Sequence, residues 1–117
     1  MVIIAIPSFD NGGLNSRIHP KFGRCESFTF ITIEKEKIVE VKTILNHTVN
    51  LMGGMGVRAT QIIRENKATI IIAKRIGPNA LESLKILNIK ILKAPDSDLT
   101  IKEVIRMCKE NQLDLLV

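Results

Sequence analysis

Three stretches of the sequence carry the side chains that could bind a metal or an anion. The first contains His19, Lys21, Arg24 and Cys25, the second contains His47, Met52 and Met55, and the third contains Lys74 and Arg75. Sulfur and imidazole groups suit iron and iron–sulfur species. Lysine and arginine suit an anionic ligand. If the strands pair as their patterns indicate, these stretches meet as loops at one layer of a sheet.

The third stretch connects a predicted strand to a predicted helix. Residues 69–73 are apolar on both faces, which is typical of an inner strand, and Pro78 suits the first turn of a helix. In open α/β sheets, ligands bind at the carboxyl ends of strands, where backbone N–H groups at a helix start can hold an anion. The two cations, with Gly77 and Asn79, therefore predict an anion site. The alternative is an ordinary strand-to-helix connection with two solvated charges.

The other candidates also have structural alternatives. Cys25 could ligate iron, or it could be a half-buried thiol at the start of a strand. His47 could be a ligand or a solvated loop histidine, and the two methionines could pack a helix start. Cys108 follows a helical apolar stripe, so it is expected in the core.

Apolar periodicity predicts the strands that hold these loops. Residues 2–6 are a second two-faced apolar run, ended by Pro7, and predict an interior strand beside the one described above. Residues 8–26 are dense in turn formers and predict a long ordered loop. Residues 28–33 and 38–45 alternate around a charged turn. They predict a hairpin whose second strand lies at the sheet edge.

The remaining sequence predicts three helices and one more strand. These are a helix opening at Gly53, Gly54 and Gly56 and ending near residue 66, a helix at 78–87 capped by Asn88, a strand at 89–92, and a helix starting at the Thr100 and Glu103 capping box. Right-handed crossovers then make the first, fourth and fifth strands parallel. The predicted fold is α/β and ribonuclease H-like, with a mixed sheet in the order 3-2-1-4-5, helices on both faces, and one domain over residues 1–117.

The sequence lacks the residues that several classes of enzyme need. A two-metal nuclease needs converging carboxylates, including one on the first strand, and residues 2–6 contain none. No serine or cysteine stands in a nucleophile-elbow pattern. The glycine loop at 53–56 is not followed by the Gly-Lys-Ser/Thr of a Walker loop. We therefore expect a protein that is not an enzyme.

Charge and composition limit the kinds of partner and the cellular compartment that we expect for this protein. The net charge is +5, but the 17 Lys and Arg form no basic block and no Trp or Tyr could stack on bases, so nucleic-acid binding is a weaker hypothesis. No leader and no apolar run of about 18 residues is evident, which predicts no membrane association. Two cysteines without a C-x-x-C pair fit a reducing compartment. We expect a cytoplasmic protein.

Three motifs together resemble a known family. Residues 18–25 read Ile-His-Pro-Lys-Phe-Gly-Arg-Cys, residues 53–57 read Gly-Gly-Met-Gly-Val, and residues 76–80 read Ile-Gly-Pro-Asn-Ala. The combination is similar to the dinitrogenase iron-molybdenum cofactor biosynthesis family, which includes NifX-like nitrogenase accessory proteins and the carboxyl-terminal domain of NifB-type proteins. The resemblance covers nearly the whole chain. It implies a ribonuclease H-like fold and binding of iron–sulfur or iron–molybdenum cofactor precursors in transit.

The resulting hypothesis is a non-enzymatic carrier of an anionic metallocluster, held as a guest and exchanged with cofactor-assembly proteins. Cys25 would ligate iron with help from His19 or His47, and cations and helix starts would offset the cluster charge. The predicted binding residues are His19, Arg24, Cys25, His47, Gly54, Gly56, Lys74, Arg75, Gly77 and Asn79. The alternative is a regulatory module that binds a small anion or nucleotide through the same loops without metal.

Overall fold

The computed structural model of the protein describes residues 1–46 and 55–116, with the side chains of residues 55–57 excepted. The described residues form five strands and three helices in the order β1 (Val2–Ser8), β2 (Ser27–Glu34), β3 (Lys37–Leu45), α1 (Met55–Glu65), β4 (Ile70–Ala73), α2 (Pro78–Ile86), β5 (Lys90–Lys93) and α3 (Ile101–Lys109). None of the helices in these ranges has the length and apolar character needed to cross a membrane.

The strands form one mixed sheet in the order β3-β2-β1-β4-β5, which confirms the predicted order. β2 is antiparallel to both β1 and β3, whereas β1, β4 and β5 run parallel. Among the parallel strands, β4 is a short apolar run and β1 is apolar from Val2 to Pro7, as expected of strands covered on both faces. Their carboxyl ends lie at one edge of the sheet, and the loop between β4 and α2 begins there.

β1 extends through Pro7, so the prediction that Pro7 ends this strand was wrong. Pro7 lies opposite Phe28 of β2, and its carbonyl accepts a hydrogen bond from the His19 N–H at 2.9 Å. Because the N–H and C=O groups of a strand residue point to the same side, the missing N–H of Pro7 faces the His19 segment and not β2. The ladder between β1 and β2 therefore loses no hydrogen bond at the proline.

Alternation along the strands separates two apolar cores. On one face, α1 and α2 pack over Ala5, Phe30 and Ile71. On the other face, α3 packs over Ile4 and Ile72. Adjacent strand residues thus serve opposite cores, which is why these strands are apolar at both parities. Helices on both faces of the sheet were predicted, and the two cores confirm them.

The predicted helix ends are also confirmed. Thr100 Oγ1 accepts a hydrogen bond from the Glu103 N–H at 3.3 Å, and Glu103 Oε1 accepts one from the Thr100 N–H at 3.0 Å, which completes the capping box. Asn88 follows α2 with a φ of 59°, as expected of a left-handed cap. Cys108 packs against the core under α3 but is only half-buried, because it lies in the last turn of that helix.

The two edges of the sheet differ. The C-terminal segment pairs with β5: the Lys93 N–H donates to the Asp114 carbonyl at 2.8 Å, and the Leu116 N–H donates to the Ile91 carbonyl at 2.9 Å. The sequence pattern did not predict this pairing. β3 forms the opposite edge, and most of its side chains are exposed, which confirms the prediction of an edge strand.

Buried hydroxyl groups tie the long loop after β1 to the sheet. Ser8 Oγ lies 2.6 Å from Ser27 Oγ and 2.9 Å from Thr29 Oγ1, and all three residues are fully buried. The Gly13 N–H donates to Thr29 Oγ1 at 3.1 Å. Gly12 has a φ of +64°, and a Cβ at this position would collide with the Ser8 and Thr29 hydroxyls. We call Ser8, Ser27 and Thr29 the hydroxyl cluster.

Candidate functional site

A cleft of about 510 Å³ lies between the loop before β2 and the start of α2. Its lining comes from two short segments, residues 20–24 and residues 75–80. The first segment enters β2 at the same sheet edge where β4 ends, so the topology places them side by side. The cleft therefore occupies the carboxyl edge of the parallel strands, where ligands of such sheets bind.

The first wall of the cleft is anchored by Phe22. This side chain is 2% exposed, and its ring meets that of Phe28 at a centroid distance of 5.3 Å and an interplanar angle of 62°. An edge-to-face contact of this kind adds to the free energy of burying the ring. Phe22 therefore anchors its segment to the apolar core, while Lys21 and Arg24 on either side are exposed.

Cys25 lies beneath this wall and is fully buried. Its Sγ–H donates to the Phe22 carbonyl at 3.2 Å. Burial raises the pKa of the thiol from its usual 9.0 to about 12, although hydrogen bonds, including one from Asn46, work in the opposite direction. The thiol is therefore protonated at neutral pH in this conformation. Ligation of iron would require the turn from Phe22 to Cys25 to open and the proton to leave.

Asn46 holds the backbone of the same turn. Its Nδ2 donates to the Cys25 carbonyl at 2.9 Å and to the Gly23 carbonyl at 3.2 Å, and the residue is 3% exposed. A buried amide with these partners fixes the turn because leaving the carbonyls without a donor is costly. Sequence patterns missed Asn46, because its partners Gly23 and Cys25 lie 23 and 21 residues away in the chain. They included Phe22 in the motif at residues 18–25 but gave it no role in the site.

The second wall is the start of α2. Gly77 is the N-cap, with a φ of −65° and a ψ of 157°, and no side chain in the part of the chain that the structure describes caps this helix. An α-helix leaves its first N–H groups without intrahelical partners, and those of Asn79 and Ala80 belong to this set. A Cβ at Gly77 would meet no atom of the described residues within 4 Å. The backbone angles do not require glycine, so a side chain here would extend into open space beside the cleft.

The charge of the described lining is positive. Lys21, Arg24 and Arg75 contribute cations, and no acidic residue stands among the lining residues that the structure describes. Pro20, Ile76 and Pro78 add apolar surface. Lys74 is half-buried and is adjacent to this lining in sequence, without being part of it. The cleft thus combines cations, apolar surface and a helix start, which suits an anion larger than a simple ion.

His19 lies apart from the lining of the cleft. Its ring contacts Phe9 at a centroid distance of 4.4 Å, and its Nδ1 accepts a hydrogen bond from the Lys21 N–H at 3.0 Å. Burial lowers its pKa, against an opposing effect of the Glu26 carboxylate. The ring is therefore neutral at pH 7, and its proton lies on Nε2. His19 could ligate a metal only after this arrangement changes.

Most of the second predicted loop lies outside the residues that the structure describes. Gly56 lies in the first turn of α1, whereas His47 and Gly54 lie outside the described residues, as does Met52. Across residues 1–46 and 55–116, no group of three or more His, Cys, Asp or Glu side chains is placed to hold a metal ion. Of the predicted binding residues, the cleft lining brings together Arg24, Arg75, Gly77 and Asn79.

The fold and this cleft define a small α/β protein with a basic cleft at the carboxyl edge of its parallel strands. Its sequence identifies the protein family. The chain belongs to the dinitrogenase iron-molybdenum cofactor family, whose model matches residues 1–111. This membership, which the sequence motifs predicted, links the chain to the biosynthesis of the iron–molybdenum cofactor.

Individual relatives agree with this membership. The chain is 35% identical over 100 residues to the uncharacterized protein MJ0580 of Methanocaldococcus jannaschii, over 86% of this chain and 83% of that protein. A Thermotoga protein, TM1290, provisionally described as NifB, has a TM-score of 0.82 at 28% identity, over 99% of this chain and 94% of that one.

The fold is also similar to that of the apo form of the orange protein from Desulfovibrio gigas. The TM-score is 0.87 at 23% identity, over 100% of this chain and 94% of that chain. At this identity the likeness concerns the fold alone.

Proposed function

We propose that the protein is a non-enzymatic carrier of an iron–sulfur or iron–molybdenum cofactor precursor, which it binds as a guest in the basic cleft. The observation that carries the proposal is the convergence of Lys21, Arg24 and Arg75 beside the start of α2, which no described side chain caps. Metalloclusters of this kind are anionic, and cations with helix N–H groups stabilise them through charge and hydrogen bonds. In this proposal the whole chain, residues 1–117, acts as one NifX-like domain of the ribonuclease H-like class.

The cleft chemistry fits a cargo that must be released again. The three cations are exposed, so each contributes weakly and is screened by salt. The apolar residues of the lining suit the sulfide faces of a cluster, which are poorly hydrated compared with oxyanions. Binding built from several weak contacts is reversible, as a carrier that passes its cargo to cofactor-assembly proteins requires.

Direct ligation of the cargo is a separate part of the proposal. Cys25 would ligate iron after the turn from Phe22 opens, and His19 or His47 would assist. Capture by charge would come first, since the cations are accessible while the thiol is buried. Lys74, Gly54 and Gly56 would add charge and backbone groups around the cargo.

The second candidate function is regulatory binding of a small anion or nucleotide without metal. The protonated, buried thiol of Cys25 favours it, because the described cleft presents cations and N–H groups and no exposed sulfur. These groups also suit phosphate oxygens.

The test is titration of the purified protein under anaerobic conditions with a soluble four-iron cluster, and with molybdate and phosphate as simple anions, at two salt concentrations. We expect the cluster to bind more tightly than either oxyanion and more weakly at high salt. Reconstitution with iron and sulfide should produce visible charge-transfer absorbance. If phosphate binds and the cluster does not, the regulatory function replaces the carrier function.

Variants locate the site. Gly77→Ala and Gly77→Val add bulk in steps beside the cleft, so we expect graded loss of cluster affinity, reaching about tenfold or more for valine. Arg24→Ala and Arg75→Ala should each cost about two- to fivefold, less at high salt. Lys102→Ala, on α3 and on the other face of the sheet, is the matched control. If Gly77→Val binds normally while Cys25→Ser abolishes binding, the site is a sulfur ligand in the first loop.

A further inference from the structure

The outer edge of β3 is a second surface with defined chemistry. β3 has nine residues and pairs with β2 on one side. Within residues 1–46 and 55–116, no strand pairs with its other side. β5, at the opposite edge, differs because the segment at 114–116 covers it. A strand of this length without a described partner on one side is able to pair with another chain.

The hydrogen bond at the end of the hairpin shows which backbone groups face outward. The Asn46 N–H donates to the Glu26 carbonyl at 2.9 Å, so residue 46 directs its groups toward β2. Because this direction alternates along a strand, residues 44, 42 and 40 also face β2, whereas Val41, Thr43 and Leu45 present their N–H and C=O groups to the outside.

The side chains along this edge separate by face. Val41 and Leu45 lie opposite Ile31 and Ser27, on the α3 face, and are 40% and 46% exposed. Glu40 and Lys42 lie opposite Thr32 and Phe30 of β2, on the α1 and α2 face, and are exposed. One face of the edge therefore carries the exposed apolar side chains of Val41 and Leu45. The other carries one acid and one base, two residues apart.

We propose that β3 pairs antiparallel with β3 of a second copy of this chain, about a two-fold axis at Val41. Three registers near the middle of the strand bring outward groups opposite outward groups. An axis at Lys42 places this lysine against itself, and an axis at Thr43 leaves Glu40 and Lys42 without opposite charges. The axis at Val41 places Glu40 of each copy opposite Lys42 of the other.

Charge therefore selects the register. Glu40 and Lys42 occupy positions that are not hydrogen-bonded across the new interface, where opposing side chains approach most closely. Opposite charges there stabilise the pair and like charges destabilise it. The same patch on both copies is self-complementary, as a two-fold interface requires.

The bulge in β3 limits the length of this interface. The register with β2 shifts between Thr32 and Ile33, which leaves Val39 without a partner. Pairing about Val41 therefore covers residues 39–43 of each copy. An interface of this length is small, so the dimer is a reversible one that forms at high protein concentration.

Charge reversal tests the interface by sedimentation equilibrium over a range of concentrations. We expect the wild-type protein to dimerise, and Glu40→Lys and Lys42→Glu each to weaken the dimer by about tenfold or more, because each reversal creates two like-charge pairs. The double variant Glu40→Lys/Lys42→Glu should restore dimerisation. Lys102→Glu, with the same change in net charge as Lys42→Glu, should not alter it. A monomeric wild type, or a double variant as weak as the single ones, would overturn the proposal.

Engineered disulfides test the register. In a Cys108→Ser background, Val41→Cys places two thiols opposite each other at the axis, within reach of a disulfide, whereas Thr43→Cys lies opposite Val39 of the other copy. Oxidation should cross-link the Val41→Cys protein and leave the Thr43→Cys protein monomeric under denaturing conditions. Cross-linking of Thr43→Cys alone would contradict the axis at Val41. Both tests are independent of cargo binding.

Discussion

The two walls of the basic cleft are built in opposite ways. The wall at residues 20–24 rests on buried groups, with Phe22 packed on Phe28 and the backbone held by Asn46. The wall at residues 75–80 is formed by the start of α2, and a side chain at its Gly77 would meet none of the residues that the structure describes. The first wall is held in shape by tertiary contacts, and the second by the start of a helix.

This difference separates stability from binding. A side chain removed from the first wall leaves a cavity or an unsatisfied carbonyl, so the cost appears in the free energy of unfolding. A side chain added to the second wall disturbs little inside the protein, so its cost appears in ligand affinity. Four substitutions or conditions examine this separation, from the largest expected effect of a substitution on stability to the smallest.

The largest loss of stability is expected for Phe22→Ala. This change empties a fully packed site, so the free energy of unfolding should fall by about 3–5 kcal/mol. Urea denaturation followed by far-ultraviolet circular dichroism measures it. Phe9→Ala is the control, because Phe9 is 37% exposed and should cost much less. Similar losses for the two phenylalanines would mean that the first wall is not anchored as described.

Asn46→Ala should cost about 1–3 kcal/mol, because the carbonyls of Gly23 and Cys25 lose their buried donor. Denaturation measures the cost. Asn66→Ala, which removes a partly buried bond to the Ile62 carbonyl, is the control and should cost less. An Asn46→Ala protein as stable as the wild type would show that the turn holds without the amide.

Alkaline pH should destabilise the protein through Cys25. Its pKa is about 12 in the folded protein and 9.0 ordinarily. Between these values the unfolded chain releases the proton and the folded chain retains it, so stability falls by about 1.4 kcal/mol per pH unit as pH rises.

The Cys25→Ala variant isolates this effect. Stability should fall less steeply above pH 9.0 in this variant than in the wild type, and equal slopes would contradict the burial of the thiol. The chain has no Tyr, so thiolate absorbance can be followed in the ultraviolet without interference from tyrosinate.

The smallest effect on stability is expected for Gly77→Val. The N-cap already has angles that any residue adopts, and a Cβ there meets no neighbour within residues 1–46 and 58–116, so the change should lie within about 0.5 kcal/mol. Thermal unfolding measures it. A large destabilisation would mean that the second wall also depends on packing, and would remove the contrast between the walls.

The sequence predicted the parts of this structure that depend on local patterns. Two-faced apolar runs located β1 and β4, and the capping box located the start of α3. The segment from Gly77 to Asn79 was predicted as a binding loop from its position after β4, and it lines the cleft. These features follow from residues within a few positions of each other.

Features that depend on distant partners were not predicted. The continuation of β1 through Pro7 depends on the His19 segment, and the backbone of the turn at Cys25 is bonded by Asn46, 21 residues away. His19 and Arg24 are close in sequence, yet the cleft is lined by Arg24 and not by His19, because the His19 ring packs on Phe9. Spacing along the chain could not separate them.

The hydroxyl cluster has a consequence for the order of folding. Ser8 and Ser27 are 19 residues apart, and the bond from the Gly13 N–H forms only when β1, β2 and the intervening loop are all in place. These contacts are non-local, so we expect them to form after the transition state, and their loss to accelerate unfolding more than it slows folding. The loop should then open only together with the strands. Native-state hydrogen exchange should find the Gly13 amide nearly as protected as the amides of β1.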